Sequence, residues 1–205
     1  MTFVFGILGG IASGKSRAAQ ALAGPQGLVL SADALAHEAL ETPGVIERVR
    51  GEFGPQAIGA DGKPDRAALA RLVFEDQGAG NARRLLESWI HPLVRATILA
   101  RLGEARAAQV PRVVLDVPLL LENDAQHGFV SLCDALVFVE VDREERERRA
   151  QENRGWAVGE VTRREAAQLP LDQKRARADH ILNNDGTPQD LQRHVDALLS
   201  KLALT

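Results

Sequence analysis

The sequence predicts an α/β protein with a five-stranded parallel sheet flanked by helices, a helical insert, and a second, cationic helical segment. Three observations predict it. Short, almost continuous apolar runs recur at Phe3–Leu8, Leu28–Leu30, Val113–Leu115 and Ala135–Val141, the pattern of strands buried on both faces. Helical patterns separate them, so neighbouring strands are joined by crossovers and must run parallel. Between the second and third runs, nearly seventy residues show helical periodicity only, too many for a plain crossover.

Phe3-Val4-Phe5-Gly6-Ile7-Leu8 reads as the first strand. It leads directly into Gly9-Gly10-Ile11-Ala12-Ser13-Gly14-Lys15-Ser16, a G-x-x-x-x-G-K-S pattern between a strand and a helix start. This is a P-loop, and it makes the fold of the P-loop NTPases the expected one. The glycines let successive N–H groups turn inward as an anion nest, and the following helix adds its positive N-terminal end. Gly10, Ile11, Ala12, Ser13 and Gly14 are expected to cradle phosphates. Lys15 is expected to reach the β- and γ-phosphates and the Ser16 hydroxyl to hold Mg²⁺. The plain alternative is a glycine turn that binds nothing.

The first helix is expected over Ser16–Ala23, stopped by Gly24-Pro25. Gly27–Ser31 is the second strand. Asp33 follows its carboxyl end, where ligands of parallel sheets sit, but Asp33 also suits an N-cap for a helix over Ala34–Leu40. Pro43-Gly44 opens a turn. Helices are expected over Val45–Phe53, over Asp65–Asp76 with Leu69, Leu72 and Val73 on one face, and over Asn81–Gln109. Proline lacks an N–H, so the last of these is expected to break or kink at His91-Pro92. Trp89 lies on the apolar stripe and is expected in a core. This block reads as an acceptor-binding insert.

Val113–Asp116 is the third strand, with Asp116 placed as a Walker B carboxylate for Mg²⁺ or, alternatively, as a loop cap. Ala135–Val141 is the fourth. Asp142 and Glu145 form a capping-box pattern, and Glu144–Arg148 and Glu145–Arg149 are (i, i+4) pairs. Arg143–Arg177 holds ten basic and seven acidic residues, so it is +3 in a chain of net −3. That local excess suits a lid over phosphates. Salt-bridged helices in solvent account for most of these arginines, which leaves one or two for phosphate. Gly155 and Gly159 flank a turn, and Leu169-Pro170 ends a second lid helix. Asp179–Gly186 reads as a fifth strand and turn, and Thr187-Pro188 starts a last helix to about Ala203.

The expected division is a core of about 1–41, 110–142 and 178–205, an insert of about 42–109 and a lid of about 143–177. Balanced charge, 25 basic against 28 acidic residues, argues against nucleic acid as a partner. No apolar run reaches the ~20 residues of a membrane span. The single cysteine, Cys133, permits no internal disulfide and fits a cytoplasmic setting. The five histidines show no zinc spacing. Oligomeric state is not legible.

Several segments together resemble dephospho-coenzyme A kinases. They are Gly9–Ser16, Ser31-Ala32-Asp33 with Ala36-His37-Glu38, Trp89-Ile90-His91-Pro92-Leu93, Asp116-Val117-Pro118-Leu119-Leu120-Leu121-Glu122, Gln168-Leu169-Pro170 before Lys174, and Ala178-Asp179 followed by Asn184. The resemblance spans the chain. It implies ATP-dependent phosphorylation of the ribose 3′-hydroxyl of dephospho-coenzyme A, giving coenzyme A and ADP, with Mg²⁺. It further implies Asp33 as the group that takes or orients the hydroxyl proton, and Arg154 and Arg149 as lid arginines at the phosphates. Asn184 falls toward the adenine end, Arg17 follows the P-loop serine, and His37, His91, Pro118, Leu119 and Glu122 lie on the acceptor side. The family usually carries Asp where Ser31 stands, Thr where Arg17 stands, and an acidic residue after the lid arginine, where this chain has Gly155. Other readings of the loop are a kinase of a nucleoside, nucleotide or shikimate-like acceptor, which has no reason to contain His91-Pro92-Leu93, and a nucleotide-dependent switch.

Overall fold

The computed structural model describes residues 1–74 and 79–204. Five strands form one parallel sheet in the order β2-β3-β1-β4-β5: β1 Phe3–Gly9, β2 Leu28–Ser31, β3 Arg112–Asp116, β4 Ala135–Glu140 and β5 His180–Asn183. The apolar runs form the strands because each is covered on both sides. Phe5, Ile7, Val114, Val137 and Val139 pack on one side with Ala18, Ala19 and Leu22 of α1 (Lys15–Ala23). The last helix of the chain, α10 (Pro188–Lys201), joins that core through Leu191, Val195, Leu198 and Leu199. Alternate residues such as Val4, Leu8, Val113 and Leu115 point to the other face and are also buried.

The chain divides into two compact units. One comprises 1–31 and 102–205 and carries the sheet; the other is 32–101. In the second, α2 (Ala32–Leu40), α3 (Pro43–Phe53) and α4 (Arg66–Phe74) are followed by the long α5 (Ala79–Ala107), which carries the chain back to the sheet-bearing unit. Leu35, Val45, Val49, Leu69, Ile90, Val94 and Ile98 are buried. The expected end of the Asp65–Asp76 helix lies outside the described residues. Asp65 caps α4 through bonds from Ala67 N and Ala68 N of 2.9 and 3.1 Å.

Of the break or kink expected at His91-Pro92, the break does not occur: helix α5 runs on through Pro92. Proline removes only one intrahelical bond, the one to the Ser88 carbonyl. The buried stripe Ile90, Val94, Ile98, Leu102 continues at four-residue spacing, so packing carries the helix past it. Trp89 is only half-buried. It lines a shallow groove with Thr42, Arg48 and Leu93, and its ring lies 6.0 Å from that of Phe53.

In the sheet-bearing unit, the short α6 (Asp124–His127) precedes β4. It is followed by α7 (Arg143–Arg154), α8 (Glu160–Glu165) and α9 (Leu171–Ala176). The expected capping box at α7 does not form: the Asp142 side chain accepts no capping bond, the Asp142 N–H donates to Asp185 at 2.7 Å instead, and Glu145 is engaged by Arg148 and Arg149 at 2.7 Å. Arg148 pairs with Glu145 and Glu152, not with Glu144. The Thr187 box on α10 does form, with Asp190 as its partner.

Candidate active site

The sheet brings the predicted phosphate loop and Asp116 to one rim. Gly9 ends β1, Asp116 ends the adjacent β3, and Ser31 at the end of β2 is in register with Asp116. The alternative N-cap role for Asp33 is not what forms. Helix α2 starts at Ala32, straight out of β2, so Asp33 sits exposed within its first turn. An acidic group there is favoured by the helix dipole, which also leaves its carboxylate free of the cap position.

The loop has the backbone of an anion nest. Ala12 and Gly14 are left-handed, with φ of 59° and 80°. The first amides of α1 have no intrahelical acceptor. The Ser13 hydroxyl is buried without a partner among the described residues, the kind of orphan polar atom a ligand site leaves. Lys15 Nζ donates to Gly10 O at 2.8 Å and Gly9 O at 3.2 Å. Burial pulls the Lys15 ammonium down to about 8; Asp116 opposes that fall, while Lys174 and Arg154 add to it. With Glu165, which also opposes the fall, four charged groups from four elements of the chain act on the loop lysine.

A cavity of about 410 Å³ opens beside the loop. Ala12, Gly14 and Arg17 form one wall, Arg149, Asn153 and Arg154 of α7 another, and Asn184 and Gly186 the end. Most arginines of the cationic segment are engaged in ion pairs, as the solvated-helix alternative expected. Arg154 has no carboxylate partner among the described residues; its guanidinium lies 4.9 Å from the Trp156 ring centre, which also carries Arg164 at 4.3 Å. Arg149 bonds Glu145 and the Asn184 carbonyl, each at 2.7 Å.

Asn184, expected toward the adenine end, lines the end of the cavity and also touches the loop. It is 3% exposed, and its side-chain amide donates to Ser13 O at 2.8 Å, so it braces the loop. Its approach adds to the left-handed φ of 80° in favouring glycine at position 14, since a Cβ there would also lie 2.5 Å from Asn184 Nδ2. Glu122 is likewise committed. It pairs with buried Lys174 at 2.7 Å and accepts from Leu169 N at 3.1 Å. Pro118 is exposed, and Leu119 is left-handed at φ 54°.

Asp33, His37 and His91 belong to the helical unit and are exposed. His37 Nε2 accepts from Arg66 at 2.8 Å, and its neighbour Glu38 pairs with Arg101 at 2.6 Å. Sequence reasoning missed Glu165, whose carboxylate accepts from Ile11 N in the loop at 2.8 Å. Nothing at position 165 marks it; only the fold joins it to the loop.

No group of three or more His, Cys, Asp or Glu side chains suited to a metal occurs among the described residues. No helix among them is long and apolar enough to cross a membrane.

Comparison with known proteins gives the same outline. The chain is 41% identical over 196 residues to a dephospho-CoA kinase of Symbiobacterium thermophilum, covering 95% of this chain and 79% of that one. It is 40% identical over 201 residues to a dephospho-CoA kinase of Anaeromyxobacter dehalogenans, covering 97% and 92%. Its structure is similar to that of TT1252 from Thermus thermophilus, at TM-score 0.75 and 36% identity over 98% of both chains. The fold also matches a dephospho-CoA kinase from Campylobacter jejuni, at TM-score 0.69 and 22% identity over 98% and 97% of the two chains. The family model described as dephospho-CoA kinase matches residues 3–190, and with these relatives it shows that the chain belongs to the dephospho-CoA kinase family, whose reaction is the ATP-dependent phosphorylation of dephospho-coenzyme A.

Proposed function

We propose that this chain passes the γ-phosphoryl group of ATP directly, in line, to the ribose 3′-hydroxyl of dephospho-coenzyme A. The observation that carries this reading is Lys15. Its ammonium sits on the loop carbonyls beside open amides, where a triphosphate would take it over. Loop amides from Gly10 to Ser16 other than that of Ile11, which Glu165 takes, hold the donor, with Arg17 and Arg149 beside the cavity. Arg154 neutralises charge that builds on the transferring group. Asp33 accepts or orients the proton of the acceptor hydroxyl. Asn184 acts on the donor through the loop. On the acceptor side we place His37, His91, Pro118 and Leu119, with Glu122 holding Lys174 in position.

The donor set fits Mg²⁺ arriving with ATP. Ser16 and Asp116 offer a hydroxyl and a carboxylate, hard oxygen ligands to which substrate phosphates and water add. Asp116 already acts electrostatically on Lys15, next to Ser16. Bound there, the ion withdraws charge from the phosphate oxygens. One cysteine and two soluble substrates suit the cytoplasm.

An ADP-release assay over a small panel of acceptors tests this reading. Stimulation is expected with dephospho-coenzyme A alone; stimulation by a nucleoside or shikimate instead refutes it. Asp33→Asn should lower kcat by about two orders of magnitude or more, the usual range for loss of a positioned base. Turnover near wild type in that variant would remove Asp33 from the chemistry.

A further inference from the structure

The cationic segment carries a buried ion pair to which the roles above assign nothing. Arg146 on α7 is only 5% exposed. Its Nε donates to the Val141 carbonyl at 3.2 Å, just past β4, and its Nη1 donates to Glu165 Oε1 on α8 at 2.6 Å. That same carboxylate oxygen accepts from the Ile11 amide at 2.8 Å. The pair lies so close against the loop that a side chain at position 10 would have to displace it. A Cβ there would stand 2.8 Å from both Arg146 Nη1 and Glu165 Oε1.

The amide that Glu165 holds and the carbonyl that docks Lys15 are two ends of one peptide plane. Ile11 N and Gly10 O belong to the Gly10–Ile11 peptide, and Lys15 Nζ bonds Gly10 O at 2.8 Å. A peptide unit is rigid, so its N–H and C=O turn together. Gly9 and Gly10 precede it, and glycine resists such rotation least. Without an anchor on the N–H, the carbonyl would be free to swing away from Lys15. Buried ion pairs are poor sources of stability, because desolvation offsets their attraction, which suits this one to fixing geometry.

We propose that Glu165 is a positioning residue for phosphoryl transfer: with Arg146 behind it, it holds the Gly10–Ile11 peptide and so sets the carbonyl on which Lys15 is presented to ATP. This rests on the reading of Lys15 as the phosphate ligand. It also links α8 to the phosphate loop, so the segment expected to act as a lid contributes to the cradle itself.

Three variants test it, by equilibrium Mg-ATP binding and by the KM values for ATP and dephospho-coenzyme A. Glu165→Leu removes the acceptor. Arg146→Leu with Glu165→Leu removes the whole pair, so that no lone charge stays buried and the fold is spared. Glu165→Gln keeps an oxygen for Ile11 N–H. ATP affinity should weaken about tenfold in the leucine variants, the scale of one net hydrogen bond. The KM for dephospho-coenzyme A should stay unchanged, and Glu165→Gln should bind ATP much as wild type does. A folded double variant with wild-type ATP affinity overturns the proposal. So does a Glu165→Gln variant as weak as Glu165→Leu, or an equal rise in both KM values. Failure of the wild-type protein to bind Mg-ATP would instead remove the reading of Lys15 on which the proposal stands.

Discussion

Lys15 couples stability and catalysis to pH in opposite senses. Burial lowers its ammonium from 10.5 to about 8. Between those values the unfolded chain keeps a proton that the native protein has released, so this group makes the ligand-free protein more stable as pH rises through that window. Catalysis needs the charged form. kcat/KM for ATP reports the free enzyme, so it should fall as pH rises past about 8. Lys15→Arg, which cannot lose its charge at these pH values, should abolish that limb even if its maximum is lower. A wild-type profile flat through about pH 9 would show that Lys15 titrates elsewhere or is not required. Residues of this kind were legible because the chemistry fixes their spacing: a glycine-rich turn, a lysine and a hydroxyl must follow one another directly. Asn184 and Glu165 obey no such rule. They reach the loop across 171 and 154 positions of chain, and only the assembled sheet and lid helices bring them there.

At the scale of elements, the strands were legible because a sheet buried on both faces demands continuous apolar runs, and every one of those runs is a strand. Helix limits read from caps were less secure. At Thr187-Pro188 the helix starts as expected, with Asp190 completing a capping box. At Asp142 a capping-box pattern fails: Asp185 takes the Asp142 N–H, and two arginines one turn on take Glu145. Pro92 does not break its helix for a related reason: the buried stripe on both sides outweighs one missing bond. The helix therefore carries a cost that substitution can relieve. Pro92→Ala should stabilise the protein by about 2 kcal/mol, the interior proline penalty less the entropy that proline removes from the unfolded chain. The thermal midpoint should rise accordingly. A lower midpoint would mean that the exposed ring makes packing contacts worth more than the helix bond it blocks.

Across the whole molecule, the residues proposed for the donor fall in one compact unit, whereas those proposed for the acceptor are drawn from both, Pro118 and Leu119 coming from the sheet-bearing one. The loop, Asp116, Arg149, Arg154 and Asn184 belong to the unit built on the sheet. Asp33, His37 and His91 belong to the unit of residues 32–101. Nucleotide binding should therefore be separable from transfer. A ligand that binds only the native state stabilises it by mass action, about 2.7 kcal/mol at a hundredfold excess over Kd. Mg-ATP should raise the thermal midpoint of the wild-type protein and of Asp33→Asn to the same extent, although the variant turns over slowly. Lys15→Ala should lose most of that increase. Chelating Mg²⁺ should shrink it in both the wild type and Asp33→Asn, since Ser16 and Asp116 then have no ion through which to hold the phosphates. Loss of the ATP-induced increase in Asp33→Asn would contradict the division, because it would place a residue of the helical unit among the groups that bind the donor.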